Sequence, residues 1–270
     1  MPGELISSPF GTEDLPRVHL ERAPLVRVVA QLKYPSLAAL RGDSVVDKFA
    51  SHFGKEYPVV EDQRGVNFLI TPTGLTQQQS DQRIWSFRSG DDQWKLTLAE
   101  NFLALDTENY PKRRDFINRF ERAVEKLIDL ANPPYFERLG LRYLNRIADL
   151  DLINGRLKEM VRAEMQGGLA TDRPPGVELR HAMFDSLFID GDHGIQLRSG
   201  ILPPRATMFG LEVPALETNS WILDIDSYVE KRMPFTPDEV TEKVRDLANR
   251  AYRMFRWVVN SEFIEYFGGE

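Results

Sequence analysis

A chain of 270 residues, 42% of them hydrophobic and 28% charged, carries enough apolar material for a sizeable core in one large domain or two small ones. Its formal net charge of -7 argues against broad, salt-dependent association with DNA or RNA, although a local basic patch stays compatible with that balance. There are no cysteines, so disulfides, thiolate metal sites and thiol nucleophiles are excluded.

Residues 1–22 are rich in Pro, Gly and charge without periodicity and read as an extended, partly mobile arm. They lack a cationic start followed by an apolar run, and no window approaches ~18 uninterrupted apolar residues. Neither a secretory signal nor a membrane span is expected, and a cytoplasmic location fits. Residues 25–34 then read as a strand stopped by Pro35, and residues 43–53 as a short helix with Phe49 and Phe53 on one side. Strands are expected at 66–71, 83–88 and 94–107, the last breaking near Asn101 into a hairpin. Ser89-Gly-Asp-Asp92 is a turn signal, and the Gln-rich tract 72–82 reads as a polar loop. Residues 111–131 form an amphipathic helix through Phe116, Phe120, Val124, Leu127 and Ala131, stopped by Asn132-Pro-Pro134.

The order then repeats. A strand is expected at 136–148, a helix at 150–165, and three strands at 178–189, 195–201 and 220–228. Thr236-Pro-Asp-Glu239 opens a long final helix, with threonine as cap and proline at the first helical position. The chain thus divides into an arm (1–22), a first half-repeat (23–134) and a second (135–270), together one domain. Each half reads strand, helix, three strands, helix. The fold class expected is α+β: an internally duplicated, mainly antiparallel sheet of roughly eight strands with long helices packed on one face.

One segment stands out. In residues 138–147, Arg138, Arg142 and Arg146 share a strand face with Gly140 and Leu144, while Leu139, Leu141, Tyr143 and Ile147 share the other with Asn145. Three guanidiniums on an interior strand must meet anions, and a guanidinium fork suits phosphate or carboxylate. Asp106, Asp224 and Asp226 on neighbouring strands would neutralise them internally. Alternatively, Arg138, Arg142 and Arg146 would hold a nucleotide or RNA ligand, with Asp224 and Asp226 assisting hydrolysis.

Histidine is scarce. His19, His52, His181 and His193 make no paired metal motif, and Asp190-Gly-Asp-His-Gly194 reads as a hairpin rather than a calcium loop. No nucleophile elbow, phosphate-binding loop or dinucleotide fingerprint is present, so no catalytic residue, metal or cofactor is assigned. The final helix carries Tyr252 and Trp257, and past a break at Asn260-Ser261 come Phe263, Tyr266 and Phe267. These aromatics exceed one core stripe and read as an interface.

Ala23-Pro-Leu-Val-Arg-Val28, the motif Arg-x-Gly-Leu-Arg-Tyr-x-Asn-Arg-Ile at 138–147 and the aromatic C-terminal helix together resemble a sporadically distributed, uncharacterised bacterial family of similar length. The resemblance spans nearly the whole chain except the arm. It implies no activity, cofactor or catalytic residue, but an accessory role such as phage defence or a toxin–antitoxin pair. The function expected is therefore a non-catalytic protein-binding or scaffold protein with a protein partner, a second copy of itself included, and no membrane. The alternative is a nucleotide- or RNA-binding protein working through the arginine strand.

Overall fold

The computed structural model describes residues 6–11, 15–71, 74–206 and 214–269, with side chains described outside 64–71 and 74–82. Its strands are β1 (Leu25–Lys33), β2 (Val59–Thr71), β3 (Gly74–Arg88), β4 (Trp94–Ala99), β5 (Phe102–Thr107), β6 (Tyr135–Ile147), β7 (Ala182–Asp190), β8 (His193–Leu202) and β9 (Ser220–Pro234). The helices are α1 (Asp43–Phe53), α2 (Arg113–Ala131), α3 (Leu150–Asn154), α4 (Leu157–Met160), α5 (Ala163–Gln166), α6 (Pro237–Val258) and α7 (Ser261–Tyr266). At 34% helix and 35% strand this is an α+β fold, and the nine strands form antiparallel sheet in the order β2-β3-β4-β5-β1-β6-β9-β8-β7. Among the described residues no helix is long and apolar enough to cross a membrane.

The chain forms two compact units. The first comprises Arg27–Leu141 and Val229–Arg245. Its core is set by alternation: Val28, Ala30 and Leu32 of β1, Leu96 and Leu98 of β4, and Leu103 and Leu105 of β5 are all buried. Phe49 of α1 packs on Phe87 at 5.4 Å between ring centroids, and Phe116 of α2 lies 6.1 Å from Trp94. The stripe read from residues 111–131 is buried as expected, and Asn132 ends α2 in the left-handed conformation, its N–H donating to the Ile128 carbonyl at 2.9 Å. Just beyond α1, Glu56 accepts from Arg122 Nη1 and Nη2 at 2.6 and 2.8 Å and from Arg119 Nη1 at 3.0 Å.

The second unit comprises Met1–Val26, Arg142–Tyr228 and Asp246–Glu270. Leu197 and Ile201 of β8 and Trp221, Leu223 and Ile225 of β9 form one core with Met160 of α4, Met254 and Val258 of α6, and Phe263 of α7. On the alternate positions, Leu144, Ile222 and Leu202 make a small second cluster. The N-terminal arm is extended and tied down where it is described. Leu20 bridges Gly269, Arg22 N donates to the Phe267 carbonyl at 3.1 Å, and Val18 N donates to the Tyr252 hydroxyl at 2.9 Å.

Several expectations are corrected. The Gln-rich tract is no loop: from Gly74 onward it is β3, paired with β2 down to Thr71↔Gly74, while Pro72 and Thr73 lie outside the described residues. β2 stands at one end of the sheet order, and backbone pairing with it holds this tract as a strand, which polar composition alone does not signal. The helix expected over 150–165 is three short helices. Gly155 ends the first, and Val161 leaves helical geometry to bridge Val259. There are nine strands rather than eight among the described residues, with four between the helices of residues 23–134 and three in 135–270. The 94–107 hairpin and the two-residue Gly191-Asp192 turn joining β7 to β8 are as expected.

Two outcomes test these contacts. Gly200 of β8 sits at φ +154°, where an added Cβ would lie 1.9 Å from the Ala182 carbonyl oxygen. Gly200→Ala should therefore cost about 3 kcal/mol or more, read as a lowered urea midpoint. The Arg122 hydrogen bonds hold the Glu56 carboxyl below its ordinary range despite opposing partial burial. A depressed carboxyl contributes stability above its unfolded pKa and loses it as pH falls through the folded value. Because Glu56 and Arg122 are partly exposed, the gain is at most ~1 kcal/mol; Glu56→Gln should flatten the acid limb of the melting profile by that amount.

Candidate functional site

The face of β6 opposite Leu141 and Tyr143 carries the arginines singled out above. Arg142 meets Asp224 of β9 with both carboxylate oxygens: Nε donates to Oδ1 and Nη2 to Oδ2, each at 2.7 Å. Asp224 is fully buried, so this fork-to-fork pair replaces the water both groups gave up. Arg198 of β8 adds Nη1 to Asp224 Oδ2 at 3.3 Å, and its Nε donates at 3.2 Å to Asp185 of β7. Gln196 also donates to Asp185. Charges thus alternate Arg142, Asp224, Arg198, Asp185 across four neighbouring strands and sum to zero.

The first unit repeats the arrangement on its own strands. Arg27 of β1 donates through Nε to both oxygens of Asp106 on β5, at 2.9 and 3.1 Å, and through Nη2 to the same carboxylate. Lys95 of β4 stands 3.7 Å from Asp106 Oδ2. Arg27 of β1 and Arg142 of β6 thus each meet a buried aspartate, on β5 and β9, with a second cation from the strand preceding it in sequence, Lys95 of β4 and Arg198 of β8. The sequence reading named Asp106 and Asp224 but missed Arg27, Lys95 and Arg198. Their signal was available as cations alternating with core residues on β1, β4 and β8.

The remaining arginines behave differently. Arg146 donates through Nε to Ser220 Oγ at 2.9 Å and through Nη1 to the Pro214 carbonyl. Among the described residues no acceptor meets its enclosed Nη2 and no carboxylate pairs with it, and burial lowers its pKa. Arg138 is half-buried, its Nη1 folded over Gly140, where an added Cβ would lie 2.7 Å away. Asp226 is half-buried and does not share Arg142. Among the five candidate ligand residues, Arg142 and Asp224 meet directly, while Arg146 is held by Ser220 and the Pro214 carbonyl. The Arg142 fork is filled from within the protein.

The C-terminal aromatics are also reassigned. Phe263 and Phe267 are buried in the second unit's core, 4.7 Å apart, and cannot present an interface. Tyr252, Trp257 and Tyr266 are half-buried under arginines: Arg17 lies 4.2 Å from the Tyr252 centroid, Arg162 4.9 Å from Trp257, and Arg22 5.4 Å from Tyr266. The Tyr252 hydroxyl donates to the Pro16 carbonyl at 2.9 Å. Tyr252 and Tyr266 thus face the chain's own N-terminal arm, and Trp257 faces Arg162 at the N-cap of α5.

Among the described residues, β7, at one end of the sheet order, carries a row of exposed apolar side chains. Met183, Leu187 and Ile189 alternate along one face at 37%, 52% and 62% exposure, while Phe184 and Phe188 pack toward the core. Apolar residues on both faces of a strand were a readable signal, and they went unused. Among the described residues, no three His, Asp or Glu side chains group as a metal site. Compared with known protein families and with curated proteins, the chain matches none.

The Arg142–Asp224 pair makes a clear forecast. Asp224→Asn leaves a guanidinium short of its anion and should cost about 3–5 kcal/mol, whereas the double replacement Arg142→Met with Asp224→Leu should recover most of it. Chemical denaturation of Arg142→Met, Asp224→Leu and the double variant gives the coupling.

Proposed function

We propose that this chain is a non-catalytic binding and scaffold protein, and that it associates with a second copy through the outer edge of β7. The observation that carries the reading is the exposed row Met183, Leu187 and Ile189 on a strand with one pairing partner, β8. A nine-residue edge with apolar outward side chains is a template for strand addition, which other proteins blunt with bulges, proline or lysine.

The occupant is argued from self-complementarity. An isologous dimer pairs β7 antiparallel with itself about a two-fold axis. Centred on Ser186, that register sets Met183 against Ile189 of the other copy, and Phe184 against Phe188. At each end it sets Arg180 against Asp192, so the cationic start of the strand meets its acidic finish. Beside the centre the register sets Leu187 against Asp185, whose charge is already met by Arg198 of its own copy; the apolar pairs on either side and opposite charge at both ends favour a second copy over an unrelated strand.

An internal duplication belongs to the same reading. It is supported by the paired triads Arg27–Asp106–Lys95 and Arg142–Asp224–Arg198 and by the opening strand of each half lying beside its closing strand, β1 by β5 and β6 by β9. Helices over one sheet face complete that architecture. The resemblance of residues 138–147 to a scattered bacterial family attaches the scaffold to an accessory system such as phage defence or a toxin–antitoxin pair.

Sedimentation velocity tests the association. The wild type should run as a dimer at micromolar concentration, and Leu187→Lys with Ile189→Lys should run as a monomer with an unchanged melting temperature. Arg180→Glu and Asp192→Lys should each weaken the dimer and together restore it. A wild type that stays monomeric, or lysine variants that stay dimeric, would refute the proposal.

A further inference from the structure

The second unit holds a cleft of about 140 Å³ where the arm crosses α6 near the start of β8, walled by Phe10, Leu15 and Ile195. Arg253 of α6 lines it. That side chain belongs to a residue that is 7% exposed, yet among the described residues its guanidinium meets no carboxylate and its enclosed Nη2 meets no acceptor. A buried cation without an anion is among the costliest groups a fold can carry, and retaining one calls for a compensating charge.

The neighbouring charges define that anion. Arg250 is already held by Asp246 at 3.1 Å and by Asp190 at 3.5 Å. Arg17 donates to Asn249 and stacks on Tyr252. Counting Arg17, Arg250 and Arg253 against Asp190 and Asp246, the lining carries an excess of one positive charge among the described residues. A dianion would face two carboxylates across a small space, while a monoanion balances the site. The volume is well below the roughly 300–1,000 Å³ of sites for drug-sized ligands, so a small molecule or the end of one fits. The wall of Phe10, Leu15 and Ile195 suits hydrocarbon. Gly11 closes the approach: a Cβ there would stand 2.9 Å from Arg253 Nη1 and 3.3 Å from Cζ, so a side chain would push the fork out of place.

We propose that this cleft binds a small organic acid, its carboxylate in the fork of Arg253 and its short apolar tail against Phe10, Leu15 and Ile195. The site lies apart from the outward face of β7 and does not depend on association of copies.

Butyrate serves as the probe, with neutral butyramide and inorganic phosphate as the other arms at matched ionic strength. Butyrate should raise the wild-type melting temperature saturably at millimolar concentration and give a matching isotherm by calorimetry, with butyramide inert and phosphate weaker. Arg253→Met should melt at or above the wild type without ligand and lose the butyrate response. Gly11→Ala, which keeps the arginine, should weaken the response at least tenfold. An unresponsive wild type, an equal response from either variant, or a stronger effect of phosphate would overturn the assignment.

Discussion

Within each unit of this protein a carboxylate is buried beside guanidiniums on the strand faces opposite that unit's apolar core. Asp224 is fully enclosed, and Asp106 nearly so. Each would be prohibitive there without a fork of donors, and each has one from an arginine on the opening strand of its half. Because such a pair must meet with both oxygens in register, it constrains which strand lies beside which more tightly than hydrophobic contact does. Removing one partner is costly, while the pair itself adds little net stability. Its contribution is specificity of strand order.

That constraint also decides how the arginine-rich motif is to be understood. A phosphate site needs guanidiniums with open forks and a path to solvent. Arg142 has its fork occupied by Asp224, and Arg198 spans from that buried carboxylate to the half-exposed Asp185. The charges cancel along the row. Among the described residues, Arg146 and Arg253 each keep an enclosed Nη2 without an acceptor, and Arg253 borders a cleft. Burial is similar for the two; access separates them.

The arm and the C-terminal aromatics illustrate the same division between chemistry and placement. Surplus rings at the end of a chain suggest a surface for a partner, and they do bind a segment, but the segment is residues 15–22 of the same molecule. Arginines from that arm and from residues 156 and 162 stack on Tyr252, Trp257 and Tyr266, using the affinity of a guanidinium for an aromatic face. With those rings engaged, the large apolar side chains that the second unit exposes among the described residues are the row on β7 together with Phe10, Leu150 and Val177.

Local pattern was legible wherever a single period ruled. The faces of β6, the stripe of α2, the cap at Thr236, where Glu239 N donates to the hydroxyl at 3.3 Å, and the turns at 89–92 and 190–193 follow from residue spacing and turn chemistry alone. These depend on neighbours a few positions away, which the sequence states directly. Where long-range pairing supplied the stability, local composition misread it: the glutamine tract became a strand through β2, and Val161 left its helix to meet Val259. Which aspartate each arginine meets, that Phe263 is core while Leu187 is surface, and that Arg253 stands beside a cleft are decided by strand order and by the route of the arm. Those are matters of tertiary structure, because they join residues from 13 to more than 200 positions apart, and no periodicity in the chain encodes which distant partner wins.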